Sequence, residues 1–185
     1  YLALDNSQLT SIDLSNNPLL RLLRVSENQL TSLDVSQNNS LSVLNVENNR
    51  LTSLDVSNNT SLTNLITGFN FLTTLDVSNN TSLTYVSFNN NQISNIDISN
   101  NTSLTNLNGR YNQLTSINVS ENILLDYLHL GNNQLTTLDV KNNTVLRYID
   151  CYSNPLTCVT VSQSQLERVP NSSWRFNGTW SLDCN

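Results

Sequence analysis

The sequence predicts an all-β solenoid of about eight coils, with a parallel sheet along one face and a cap at the C-terminal end. Three observations predict it. Leu, Asn, Ser and Thr supply 110 of the 185 residues. Seven rows of 21 residues align without a gap from Gln8 to Asn154. No row shows a helical 3.6-residue period or enough length for a helix.

The rows start at Gln8, Gln29, Arg50, Phe71, Gln92, Gln113 and Gln134. Each row holds two related halves. Leu83-x-x-Val86-x-Phe88-x-x-Asn91-x-Ile93 is one, and Leu72-x-x-Leu75-x-Val77-x-x-Asn80-x-x-Leu83 is the other. In each half the apolar positions point inward around one coil. A single coil cannot bury that side alone, and stacking joins the coils into one core. Adjacent coils should lie about 4.8 Å apart, the spacing of strands in a sheet. Tyr1–Ser7 match the end of a row, so the sequence starts inside a repeat. An upstream portion is therefore expected, which also accounts for the lack of a visible signal peptide.

Two asparagine columns belong to this scaffold. One runs Asn28, Asn49, Asn70, Asn91, Asn112, Asn133, Asn154, and the other Asn17, Asn38, Asn59, Asn80, Asn101, Asn122, Asn143. Each sits where the chain turns out of a strand. There its amide can bond backbone groups that would cost about 1–3 kcal/mol each if left buried and unpaired.

The pattern L-x-x-L-x-L-x-x-N-x-L, repeated in register, resembles the leucine-rich repeat family, in particular its bacterial 21-residue class with a nested half-period. The resemblance covers about residues 1–161. It implies an inward asparagine ladder and a concave sheet that binds ligand. The fold class is thus a mainly β leucine-rich repeat solenoid over 1–161 with a cap over 162–185.

The last residues leave the pattern after Val161 and hold Trp174, Phe176, Trp180, Cys158 and Cys184. An open solenoid ends in an exposed apolar coil and an unpaired sheet edge, so this segment is read as a cap closed by a Cys158–Cys184 disulfide. Such a loop is worth about 3–4 kcal/mol of chain entropy and implies an oxidising location (secreted, surface-displayed or periplasmic), so an extracellular or cell-surface protein is expected. The Cys…Trp…Asp-Cys ending also resembles caps of secreted bacterial leucine-rich repeat proteins. Cys151 falls in the core column shared by Phe88 and Leu130 and reads as a buried thiol rather than a nucleophile. The sequons Asn58-Asn59-Thr60 and Asn171-Ser172-Ser173 follow from a repeat built of Asn, Ser and Thr.

Composition excludes several functions. Eight basic against fourteen acidic residues leave a net charge of -6, which repels a nucleic acid backbone. There is no apolar run long enough for a membrane span. One histidine, four glycines and dispersed carboxylates show no catalytic constellation, phosphate loop, cofactor motif or metal-ligand spacing.

Function is then expected in outward columns that break the repeat. On the strand half these are the third, fifth, seventh and eighth positions. All six tyrosines fall there. The candidate ligand-binding residues are Phe69, Tyr85, Arg110, Tyr111, Tyr127, His129, Tyr148, Asp150 and Tyr152. Tyr and Arg are favoured anchors of protein interfaces, and tyrosine rings also stack on sugars. The expected function is a non-enzymatic extracellular recognition or adhesion module, monomeric or weakly oligomeric, for a protein or glycan ligand. The alternative is a structural or ice-binding rod using the hydroxyl column Thr10, Thr31, Thr52, Thr73, Ser94, Thr115, Thr136 and Thr157. The column Asp13, Asp34, Asp55, Asp76, Asp97 and Asp139 reads as turn-capping carboxylates rather than a calcium array.

Overall fold

The computed structural model describes residues 1–169 and 174–184. Its centre is one parallel sheet of eight short strands in sequence order. They are β1 (Leu2–Ala3), β2 (Leu22–Arg24), β3 (Val43–Asn45), β4 (Asn64–Ile66), β5 (Tyr85–Ser87), β6 (Asn106–Asn108), β7 (Tyr127–His129) and β8 (Tyr148–Asp150). The register equals the repeat: Tyr85, Val86 and Ser87 pair with Asn106, Leu107 and Asn108.

The strands are short because the coil turns soon after them. The eighth-position residues Asn6, Glu27, Asn48, Phe69, Asn90, Tyr111, Asn132 and Ser153 all have φ between 51° and 57°. That left-handed conformation ends a strand and sends the chain around the coil. The opposite half of each repeat is built of turns, as the Asp column shows. The Oδ1 atoms of Asp13, Asp34, Asp55, Asp76 and Asp97 each accept the amide of the serine two residues on, at 2.9 Å. Asp139 accepts from Lys141 in the same way.

The middle residue of each of β2–β8 is buried, and the two halves of every coil meet in one apolar cluster. Position six also points inward: Val25, Val46, Phe88, Leu130 and Cys151 are fully buried there. Burial pushes the Cys151 thiol up to about 12, so it behaves as a small apolar side chain. One compensation fills this column. Phe88 is followed one coil later by Gly109, where a Cβ would come within 2.5 Å of the Phe88 ring. The largest side chain in the column occupies the space left by the smallest.

The asparagine columns bond as their position demands. Asn91 Nδ2 donates to the carbonyls of Thr67 and Phe88, both at 3.0 Å, and its Oδ1 accepts from the Leu72 amide at 2.9 Å. In the other column, Asn80 Nδ2 donates to Val56 O and Asn59 O at 3.0 and 2.9 Å. The Oδ1 atoms of Asn38, Asn59, Asn80, Asn101, Asn122 and Asn143 are buried without a hydrogen-bond partner, so this second ladder works through its donors.

The second ladder is completed by the cap. Helix α1 (Gln163–Arg168) starts at Ser162 in a capping box with Gln165. The buried Gln165 Nε2 donates to Val140 O and Asn143 O, both at 2.9 Å. Those are the carbonyls that a further asparagine would have taken, and the longer glutamine reaches them from a helix. Strands β9 (Cys158–Thr160) and β10 (Thr179–Ser181) pair in parallel beside the solenoid. A single parallel bridge, Asp150 to Arg175, prolongs the main sheet into the cap. Trp174, Phe176 and Trp180 pack on the end of the core, with ring centroids 5.1 and 5.3 Å from Trp180. Cys158 and Cys184 form the expected disulfide. The sequon at Asn171 lies outside the described residues.

Two substitutions test this account. Gln165→Ala removes two buried side-chain donors, to carbonyls that keep their turn amides, together with the acceptor of the Ser162 amide, and should lower stability by about 1–3 kcal/mol in urea unfolding. Phe88→Ala should cost about 3–5 kcal/mol, because rigid neighbouring coils cannot collapse into the space.

Candidate functional site

The in-register sheet stacks equivalent positions on neighbouring strands. Third- and fifth-position side chains therefore meet across coils. At the cap end this gathers most of the candidates. Tyr127 and Tyr148 pair across β7 and β8, with ring centroids 6.3 Å apart and planes inclined by 29°. The His129 ring lies 4.8 Å from that of Tyr148. Beside them Asp126 and Arg147 form an ion pair, and the Arg147 guanidinium sits 5.4 Å from the centre of the Tyr127 ring.

A polar group continues this cluster towards the cap. Asp150 is completely buried and ion-paired to Arg110. The sequence placed Asp150 on the outward face. It does stand on that side of the sheet, but Arg110 and the Arg175 bridge cover it. Side-chain hydrogen bonding between the two phenols raises the pKa of Tyr111 and lowers that of Tyr152. Gly131 makes room for this contact, since a Cβ there would lie 3.0 Å from the Tyr152 ring. Half-burial first, and then the Arg110 guanidinium, pull the His129 pKa down to about 4. The imidazole is therefore neutral at pH 7, and its Nδ1 is buried without a hydrogen-bond partner.

Two candidates stand apart. Tyr85 is separated from Tyr127 by β6, where Asn106 occupies the intervening position. Phe69 lies on the turn after β4, 50% exposed. It shares an unusual feature with Tyr111: both are bulky residues in the left-handed conformation, at φ 52° and 54°. Asn is the usual occupant of that column and tolerates this backbone better.

Some residues of this surface escaped the sequence reading. Ile123, Leu124 and Val145 are about half exposed on the turn that enters β7 and β8. Their signal was present, because the other interior coils carry Ser or Thr, with one Asn, at these positions. Phe71, also half exposed, replaces the usual Gln beside Phe69. Arg175 had no such signal, since it joins the face only through the bridge to Asp150.

The other regular columns behave as scaffold. The Ser15 and Ser36 type contacts hold the stacked aspartates below the ordinary carboxylate range. The serine amide leads at Asp13, Asp76 and Asp97, and the serine hydroxyl at Asp34 and Asp55. Among the described residues no cluster of His, Cys, Asp and Glu is placed to hold a metal ion. The Thr10-to-Thr157 column is exposed, yet it lies on the turn side rather than on a flat sheet. Among the described residues no helix is long and apolar enough to cross a membrane.

No protein-family model matches the chain, and no curated protein matches it in sequence. Solved structures do match it, and they are leucine-rich repeat proteins. The functional domain of InlJ from Listeria monocytogenes, which includes a cysteine ladder, superimposes with a TM-score of 0.82 at 28% identity, over 100% of this chain and 45% of that one. A Shigella effector leucine-rich repeat domain does so with 0.73 at 27% identity, over 98% and 81%. The ectodomain of the Arabidopsis thaliana receptor kinase GASSHO1/SCHENGEN3, solved with CASPARIAN STRIP INTEGRITY FACTOR 2, shares the fold with 0.72 at 23% identity, over 88% and 21%. The chain spans less than half the length of the internalin structure it matches.

The depressed His129 pKa makes a signed prediction. The unfolded chain takes up the proton near pH 6.5 and the folded one near pH 4. Stability contributed by neutral His129 is therefore present above about pH 6.5, and is lost as pH falls through that value towards 4. His129→Asn should flatten this part of the stability–pH curve. An NMR titration of the imidazole that gives an ordinary pKa would contradict the burial argument.

Proposed function

We propose that this leucine-rich repeat solenoid is a non-enzymatic extracellular recognition module that binds a protein ligand through its strand face. The observation that carries this reading is the concentration of irregularity. The turn side repeats with little change, while rings and paired charges gather on β7, β8 and the adjoining turns. Tyr and Arg are enriched among the few residues that dominate interface energetics. The branched aliphatic patch at Ile123, Leu124 and Val145 favours a polypeptide over a glycan. It would bury sugar hydroxyls with no hydrogen-bonding partner. The disulfide and the internalin neighbour support an extracellular or surface setting.

The left-handed Phe69 and Tyr111 add to this. An asparagine at either position would relieve the backbone, so a bulky ring there is retained against the demands of stability. Phe69→Asn and Tyr111→Asn should each raise stability by about 1 kcal/mol in denaturant melts while weakening ligand binding. Replacing Tyr85, Tyr127 and Tyr148 together by Ala should abolish binding and leave the circular dichroism spectrum unchanged. If the triple variant binds the ligand like the parent, the strand face is not the binding surface.

A further inference from the structure

The cap does more than close the core, because it contributes a charge to the strand face. The parallel bridge pairs Arg175 with Asp150, through Arg175 N to Ile149 O at 2.9 Å and Cys151 N to Arg175 O at 3.0 Å. In-register parallel neighbours share a face of the sheet. Arg175 is therefore the next member of the fifth-position column that runs through His129 and Asp150. Unlike Asp150 it is exposed.

The charge around it is uneven. Asp150 is buried and matched by Arg110, and Asp126 is matched by Arg147. His129 is neutral at pH 7. Adding Arg175 leaves this end of the face with one net positive charge, presented to solvent near enough to the Tyr152 phenol to act on it electrostatically. The chain as a whole is strongly acidic, but six of its fourteen acidic residues form the turn-side column from Asp13 to Asp139. The remaining eight equal the eight basic residues. The acidic stripe and the Arg175 corner thus lie on different sides of the coil. Val145 stands five residues before Asp150 and lies in the turn that leads into β8, so strand rise sets an upper limit of about 17 Å between the aliphatic patch and Arg175.

Resting on the strand-face reading above, the geometry points to a two-part anchor for a polypeptide. Arg175, with Tyr152 beside it, takes a carboxylate of the partner, and Leu124 with Val145 takes an apolar side chain no more than about five residues away along an extended strand. Arginine suits the first role because its planar fork meets a carboxylate through two parallel hydrogen bonds. The aliphatic pair suits the second by removing apolar surface from water. Arg147 and Tyr148 lie between the two and would contact the intervening backbone.

The test is selection of a displayed random twelve-residue peptide library on the intact disulfide-bonded chain, with a glycan array containing uronic and sialic acids run beside it. Enriched peptides should carry Asp or Glu at a fixed spacing of no more than about five residues from an apolar residue. The best of them should bind Arg175→Gln at least tenfold more weakly, and Arg175→Lys with an intermediate loss. Changing its acidic residue to the amide should cost the same factor, with no further loss when combined with Arg175→Gln. Arg50→Gln, on another coil, should leave binding unchanged, and thermal melts should show every variant folded. No peptide enrichment, enrichment without acidic residues, or full binding to Arg175→Gln would overturn the anchor. Selective binding to the glycans would overturn its assignment to a polypeptide. Peptides that lose binding to the Tyr85, Tyr127 and Tyr148 triple variant but not to Arg175→Gln would sink the anchor alone. Peptides insensitive to the triple variant would sink the face reading beneath it.

Discussion

Every coil of this protein must turn twice inside its own wall, and each turn leaves backbone carbonyls facing an apolar interior. The asparagine ladders meet that demand. In one ladder an Asn side chain donates to a carbonyl of its own coil and one of the coil before it, and in the other both acceptors lie in the preceding coil, so each rung ties two coils together. Without those donors the strand-side carbonyls would be buried unpaired, and the turn-side carbonyls, already paired within their own turns, would lose their tie to the next coil. The 21-residue period, the short strands and the continuous core all depend on this one arrangement. The same need explains the cap helix, whose Gln165 supplies the last pair of donors where the repeat stops.

A scaffold held this rigidly leaves few places for variation. Inward positions are constrained by neighbours on both sides, as the fit of Phe88 over Gly109 shows. The turn-side columns are tied to local hydrogen bonds, with each aspartate accepting an amide two residues on. Outward strand positions have no such duty. They carry the tyrosines, the paired charges and the histidine, and adjacent strands bring these into contact at fixed spacing. The sheet register converts a sequence separation of 21 residues into physical adjacency.

Charge follows the same division. The acidic column gives the chain its net charge of -6, while the strand face is nearly balanced and turns locally positive at the cap. Burial shapes what the charges can do. Asp150, fully enclosed, neutralises Arg110 rather than meeting solvent. His129, half-buried beside that guanidinium, stays uncharged well below its usual range.

Much of the architecture was legible in the sequence because it is periodic. The inward columns, both asparagine ladders and the turn-side aspartates follow from residue spacing, because periodic stacking turns spacing directly into contact, while the Cys158–Cys184 pairing was legible from the need to close the solenoid's open end. The outward columns, and so the clustering of Tyr127, Tyr148 and His129, followed from the same count. What the tertiary structure decided lies where periodicity breaks. Gln165 becomes a ladder rung from a helix, Arg175 joins the strand face from an aperiodic segment, and Asp150 disappears beneath Arg110. No spacing rule links those residues. Their contacts depend on how the cap settles on the last coil, which is a matter of shape and of unpaired backbone groups in three dimensions rather than of repeat length.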